Sequence, residues 1–457
     1  MRKLLLTTAL LMLPVPATAD AATRWVVKGG GWGHGLGMSQ YGAYGQARAG
    51  HDYRTILHHY YRSTELGKAG GSVRVLLLAS VPSVTFGGAN RVGSKRISAD
   101  RSYTAVRVGG RVVVRNSRGK RMARSSGVLR VTGPNGIVGV ADKPASYRDV
   151  IELRPGASGG VTAVNKVGLE NYIRGVVPNE SPAFWPLEAL KAQAVAARSY
   201  ALGTKQGCGE GPCPPVFDHY DTVASQVYGG YSSENARTNR AVARTAGEVL
   251  RHDGKVITAY FHSTSGGHTE NNENIFICRT CKALPYLRGV RDPWDKHSPY
   301  HRWGPVYYSP SRLGAAMGVG RLRRVTINKR GVSGRIIYAT FRGSGGKKRV
   351  DGWSGLRGTL GLRDLPSTIK RMSASGSTAR AAAAGIGSGG VARAVSGSIA
   401  PGRRGSRIVV QRRSGERWKR VAEGELGRGG AYRVAVEAPG HYRVLSAGDV
   451  GPLVRVR

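Results

Sequence analysis

Glu180 has the setting of a working acid. It lies in Val176-Val177-Pro178-Asn179-Glu180-Ser181-Pro182, bracketed by two prolines. Proline fixes its own φ and restricts the residue before it, so the sequence predicts a stiff loop between two helices. Phe184 and Trp185 follow directly. A carboxyl held beside aromatic surface rises in pKa, because desolvation penalises the anion. A neutral carboxyl is what glycosidic cleavage requires of its general acid. On spacing alone, a helix cap or an ion pair with an arginine accounts for Glu180 better.

Other polar residues sit among glycines. His34, Ser39 and Gln40 fall in residues 31–42, GWGHGLGMSQYG. Glycine lets backbone N–H groups approach a ligand closely, and turn stabilisation explains the same residues equally well. Trp32 and Tyr41 offer faces for sugar stacking, although a core role is the stronger reading. His262 and Ser265 precede Gly266 and Gly267. A Ser/His hydrolase is disfavoured there, since no G-x-S-x-G turn surrounds them, and the lining of a polar groove fits better. His58 and His59 are adjacent, so a helix would point them to different faces rather than at one metal.

Four cysteines complete the inventory: Cys208, Cys213, Cys278 and Cys281. An even count in an exported chain predicts disulfides, with three connectivities open. The C-x4-C and C-x2-C spacings leave a four-thiolate zinc site as the lesser alternative, with His219 as a spare ligand.

These residues need elements to position them. The apolar spacing predicts a helix over 53–61 and strands over 73–78, 111–114 and 161–167, with a turn at 134–136. A short helix over 170–177 should stop at Pro178. A longer one should begin at Pro186, with Leu187, Leu190, Ala194, Ala197 and Ala201 on one stripe. A helix over 234–246 and strands over 256–261 and 335–339 follow. Residues 373–402 are rich in alanine, glycine and serine and read as a linker. Strands are predicted again over 408–410, 432–436 and 442–444. The fold class expected is α+β: mixed helices and antiparallel strands, with a small C-terminal all-β module over 403–457.

Composition sets the outer limits. The 457 residues carry 70 basic and 27 acidic side chains, a net charge of +43. The positive charge is dispersed rather than blocked, so no nucleic-acid arm stands out. Residues 1–21 have a basic start, an apolar stretch and a small-x-small cleavage pattern, so they read as an export signal. Past residue 20 no apolar run approaches the ~18 residues of a membrane span. Export makes nucleic acid a poor partner. Anionic wall polymers are a better match for the charge.

Residues 171–202 read NYIRGVVPNESPAFWPLEALKAQAVAARSYAL. This resembles the signature of the stage II sporulation protein D / LytB amidase-enhancer family. The block at 31–42, SQVYGG at 225–230 and AYFHSTSGGHTE at 259–270 resemble three further family blocks. In sporulation members the glycine-rich block lies near the C-terminus, whereas here it comes first, which implies a permuted order. The blocks place one peptidoglycan-acting domain over 22–372, strand-rich over about 71–168 and with its motif core over about 169–300.

The resemblance implies lytic transglycosylation of peptidoglycan in the wall, with no cofactor. Glu180 matches the family's catalytic glutamate. It would protonate the oxygen between N-acetylmuramic acid and N-acetylglucosamine. As carboxylate it would then take the proton of the muramic C6 hydroxyl, which attacks C1 and closes a 1,6-anhydro ring. The nucleophile is tethered, so one carboxyl serves twice. Arg198 is a candidate for a muramyl or peptide carboxylate. His34, Ser39, Gln40, Gln226, Tyr228, His262, Ser265, Gly266 and Gly267 are candidates for lining the glycan site. The alternative the family offers is a non-catalytic amidase enhancer, with a cell-wall amidase as partner.

Overall fold

The computed structural model describes residues 22–206, 216–275, 282–380 and 391–457. The fold is α+β, with antiparallel sheets, six α-helices among the described residues and a strand-dominated C-terminal region. The export signal predicted over 1–21 lies outside the described residues. Among those described, no helix is long and apolar enough to cross a membrane.

The helices are α1 (Gln40–Arg48), α2 (Tyr53–Tyr60), α3 (Leu169–Glu180), α4 (Leu187–Gln206), α5 (Ala236–Arg244) and α6 (Pro310–Ala316). Helix α4 is the hub, and its alanines explain why. Ala192, Val195 and Ala196 pack with Ile56, Leu57 and Tyr60 of α2. Leu190, Ala194, Ala197 and Ala201 share another cluster with Ile173, Val176 and Val177 of α3. A helix buried on two faces needs small side chains for close approach and apolar ones nearly all round. Each fully buried valine or leucine there contributes about 1.5–3 kcal/mol.

Residues 72–168 form most of two sheets. In strand Ser72–Val81, Val73, Val75 and Leu77 alternate inward. They share a core with Phe86, Val112 and Val114 of the neighbouring six-stranded sheet. Strand Ala22–Gly29 lies inside a five-stranded sheet, between Trp303–Tyr308 and Pro366–Arg380. Its successive residues serve opposite faces, as strand periodicity requires. Val27 joins the cluster of Trp303 and Phe341, and Val26 joins that of Met372 and Val395.

Four sequence expectations are corrected. Most of the stretch read as a linker, 373–402, is strand: Pro366–Arg380 pairs with Val391–Ala400 over ten residues, Arg371 to Arg380. Serine hydroxyls at 373 and 398, and at 375 and 396, face each other there at 3.0 and 3.2 Å, so polar composition mimicked a linker. Helix α3 does not stop before Pro178 but runs to Glu180. Proline removes the donor to the Arg174 carbonyl; one residue further on, Asn179 Nδ2 and the Gly229 amide bond the Gly175 carbonyl, at 2.8 and 3.0 Å, and tie this last turn to the 229 loop. The strand predicted over 256–261 is interrupted, with only Lys255–Val256 and Phe261–His262 paired. The disulfide framework is also withdrawn. No cysteine pairing occurs among the described residues, and Cys208, Cys213, Cys278 and Cys281 lie outside them. A chain of this length has enough buried apolar surface to fold without staples.

Candidate functional site

The site is assembled where α1, α3 and α4 meet. Ser39 caps α1, its Oγ accepting from the Gly42 amide at 3.1 Å. The residues just before the helix, Met38 and Ser39, pair in parallel with Phe261 and His262. Gly37 makes this possible: its φ is +64°, and a Cβ there would lie 2.0 Å from the Tyr260 carbonyl oxygen. The first residue of α1, Gln40, is thereby aimed at the last residue of α3, Glu180.

Gln40 Nε2 donates to the Glu180 carbonyl at 3.0 Å and to its Oε2 at 3.3 Å. The same amide reaches Gln193 Oε1 on α4 at 3.4 Å. The Val227 backbone N–H donates to Glu180 Oε1 at 2.9 Å. Burial pushes the Glu180 carboxyl above its ordinary 4.5, and these two donors pull the other way. Burial wins because the partners are neutral and the charge is held away from water. Burial, Tyr260 and the charge of Glu180 together raise the Tyr200 phenol to about 12. Aromatic surface near the site is divided: Trp185 packs edge-on against Tyr41 at 5.0 Å, and Phe184 is 75% exposed.

Behind α1 lies a buried acidic pair. Ser265 Oγ donates to Asp292 Oδ2 at 2.7 Å. The Gly266 and Gly267 amides donate to Asp295 Oδ2 at 2.6 and 3.2 Å. Burial, then the charge of Asp295, raises the Asp292 carboxyl to about 6. Gly42 is required here, since a Cβ would sit 1.9 Å from the Tyr60 hydroxyl and 2.4 Å from Asp292 Oδ2.

The four sequence blocks are thus linked: 31–42 and 225–230 each bond Glu180, and 259–270 pairs with 31–42. A family model described as Stage II sporulation protein matches residues 157–252, which contain Glu180 and Val227. The chain is 46% identical to the "Amidase enhancer" of Bacillus subtilis, over 27% of this chain and 15% of that protein. It is 38% identical to the "Stage II sporulation protein D" of Bacillus subtilis, over 31% of this chain and 43% of that protein. The protein of the same name in Bacillus amyloliquefaciens is 32% identical, over 46% of this chain and 62% of that protein. Over these stretches the chain is similar to stage II sporulation protein D and amidase-enhancer proteins. Its matches span from about a seventh to three fifths of the length of these curated relatives.

The family's long signature also carries Arg198, but the structure places that residue in the core. Arg198 is 0% exposed and donates to both Glu170 oxygens, at 2.8 and 2.9 Å, and to the Glu248 carbonyl at 2.9 Å. It ties α4 to α3, with its guanidinium closed off from solvent. Gln226 and Tyr228 are buried struts as well. Gln226 donates to the Ala197 carbonyl at 3.3 Å, and Tyr228 to Asn165 Oδ1 at 2.7 Å. Ser265 is held by Asp292, and Gly266 and Gly267 close the loop on Asp295. Gly266 lies so near the Gly30 backbone, 2.5 Å from an added Cβ, that it serves chain packing.

The two histidines of the family blocks lie ring to ring at 5.5 Å. His34 Nδ1 accepts from the Leu36 amide at 3.0 Å, and burial lowers its pKa to about 4. His262 is driven well below its ordinary value, again mainly by burial. Its Nδ1 faces the Leu36 carbonyl at 3.0 Å, so that nitrogen carries the proton. Nε2 is then a buried acceptor with no partner among the described residues.

Sequence reasoning missed Gln193, Val227 and Asp292. Gln193 lies within the long signature, thirteen positions after Glu180, and its polarity between Ala192 and Ala194 on the buried stripe was the available signal. Val227 acts through its backbone, which no side-chain pattern reveals. The carboxylates that hold the glycine loop, Asp292 and Asp295, come from a segment with no periodic signal.

Proposed function

We propose that this protein is exported, works in the cell wall and engages peptidoglycan glycan strands through the site around Glu180. Within that reading, the better supported role is that of an amidase enhancer, which modulates a partner wall hydrolase without cutting glycan itself. The observation that carries it is the 46% identity to a protein of that name. The positive charge would hold the protein near anionic wall polymer, an attraction that salt weakens.

A second reading is favoured by the burial of the Glu180 side chain, which raises its carboxyl. A neutral Glu180 would protonate the bridging oxygen between N-acetylmuramic acid and N-acetylglucosamine as that bond breaks. The resulting carboxylate would accept the C6 hydroxyl proton while that oxygen bonds to C1. Gln40 and the Val227 amide, both donors, favour the anion, and so serve the second half of such a cycle. No activated water is needed, and so no second carboxylate.

The test is to incubate the protein, and its Glu180→Gln variant, with peptidoglycan in the presence and absence of a wall amidase. Stem-peptide release and glycan end groups would be followed by mass spectrometry. The enhancer reading predicts faster peptide release and no new glycan ends. New anhydromuramic ends from wild type, absent with Glu180→Gln, would replace it with lytic transglycosylation. No effect on peptide release and no new ends would overturn both.

A further inference from the structure

The three-stranded sheet Leu322–Arg330, Ile336–Gly343 and Gly346–Asp351 has two unlike faces. One is apolar: Ala339 and Phe341 are buried against Trp25, Leu313 and Leu356. The other is open and basic. Arg324 pairs with Arg342, and Arg342 with Lys347, so three cations stand in one row across the sheet. The next rows supply Thr326, Thr340 and Asn328, and together the six side chains line a shallow groove.

Strands lie ~4.8 Å apart, so these cations are close neighbours, and like charges directly opposite are destabilising. The buried cations of this chain are neutralised: Arg198 has Glu170 and Arg335 has Asp364. Here all three are exposed, and among the described residues none makes an ion pair or hydrogen bond. Lysine on an edge strand is an ordinary guard against edge pairing. Arg342, however, is on the central strand, where no edge needs guarding. Arg349, stacked at 4.3 Å on Tyr338, extends the basic face by one row.

We propose that this groove binds a phosphate-bearing wall polymer, one linked by phosphodiesters. Two planar guanidinium forks, one ammonium and flanking hydroxyls suit dense, multidentate phosphate oxygens better than isolated carboxylates. A polymer running along the row would neutralise the repulsion that the sheet carries alone. The groove is separate from Glu180, and the proposal does not depend on the reading of that site.

The test uses the whole protein and purified poly(glycerol phosphate), with binding measured across a salt series. The probe variant is Arg324→Gln/Arg342→Gln/Lys347→Gln, and its exposed positions leave the fold intact by circular dichroism. A control variant, Arg101→Gln/Arg118→Gln/Lys120→Gln, removes the same charge from exposed positions elsewhere. The proposal predicts at least tenfold weaker binding for the probe variant alone. It also predicts a salt slope shallower by about 2, near 0.7 for each lost phosphate contact. Equal loss in the control variant would show attraction by net charge alone and overturn the assignment. Tighter binding of a single-stranded oligonucleotide than of the wall polymer, abolished by the same probe variant, would overturn the choice of polymer.

Discussion

Gln40 and Glu180 are 140 positions apart in the chain, yet one carboxamide holds both the backbone and the side chain of the glutamate, at 3.0 and 3.3 Å. Cap, glycine loop and helix end combine to bring them together. Because the amide donates to the carboxylate, it favours the anion. Replacing Gln40 with Leu should therefore raise the Glu180 pKa further, because the carboxylate loses a donor that favours the anion. A pH titration of the two proteins checks this; an unchanged or lower midpoint would contradict it.

Asp292 should make stability depend on pH. Its carboxyl is raised by burial from 3.8 to about 6 in the folded protein. Between those values the folded state holds a proton that the unfolded state has released. The stabilisation is thus fully present below 3.8 and is lost as pH rises through about 6. The amount is about 3 kcal/mol. Asp292→Asn should flatten the fall in melting temperature across that interval, because the amide does not titrate. A fall as steep as in wild type would place the dependence on other groups.

Arg198 should behave as a structural residue. Its guanidinium is fully buried, and its partner Glu170 retains 35% side-chain exposure. Removing one member of a buried pair costs about 3 kcal/mol, taken at the lower end because Glu170 keeps some water. Arg198→Ala should lower denaturant stability by that amount, and Arg198→Lys should restore little, since one ammonium cannot replace a two-pronged contact. Glycan affinity measured on the folded fraction should stay at the wild-type level. A selective loss of affinity would return Arg198 to the binding site.

Gly42→Ala tests the packing behind α1. The added methyl would meet the Tyr60 hydroxyl at 1.9 Å and Asp292 at 2.4 Å. Overpacking of this kind costs about 1–3 kcal/mol and displaces the start of the helix. Thermal melting should register the loss. The Glu180 titration should shift with it, because Gln40 is anchored on the same turn.

Much of the architecture was legible from local pattern. Helix α2 ends one residue from its predicted end, and α4 begins beside Pro186, since apolar periodicity and helix-start signals act locally. The strand over 373–380 was not legible, because it is made by pairing: with Val391–Ala400 along its length and, at residues 373 and 374, with Thr23 and Ala22 at the other end of the chain. The site divided in the same way. Glu180 stood out through its prolines and neighbours. Arg198, Gln226 and Tyr228 are equally prominent in sequence, but their partners Glu170, Ala197 and Asn165 turn them inward. Type and spacing show which residues carry polar chemistry; only tertiary contacts show whether that chemistry is consumed within the fold.

The most direct test follows the Glu180 carboxyl itself by NMR of isotope-labelled glutamate, with Glu180→Gln supplying the assignment. The site described here predicts a titration midpoint above the ordinary 4.5 and a shift of that signal when peptide-free glycan strands are added. A midpoint at or below the ordinary value, with no response to glycan, would contradict a glycan site built around a proton-holding Glu180.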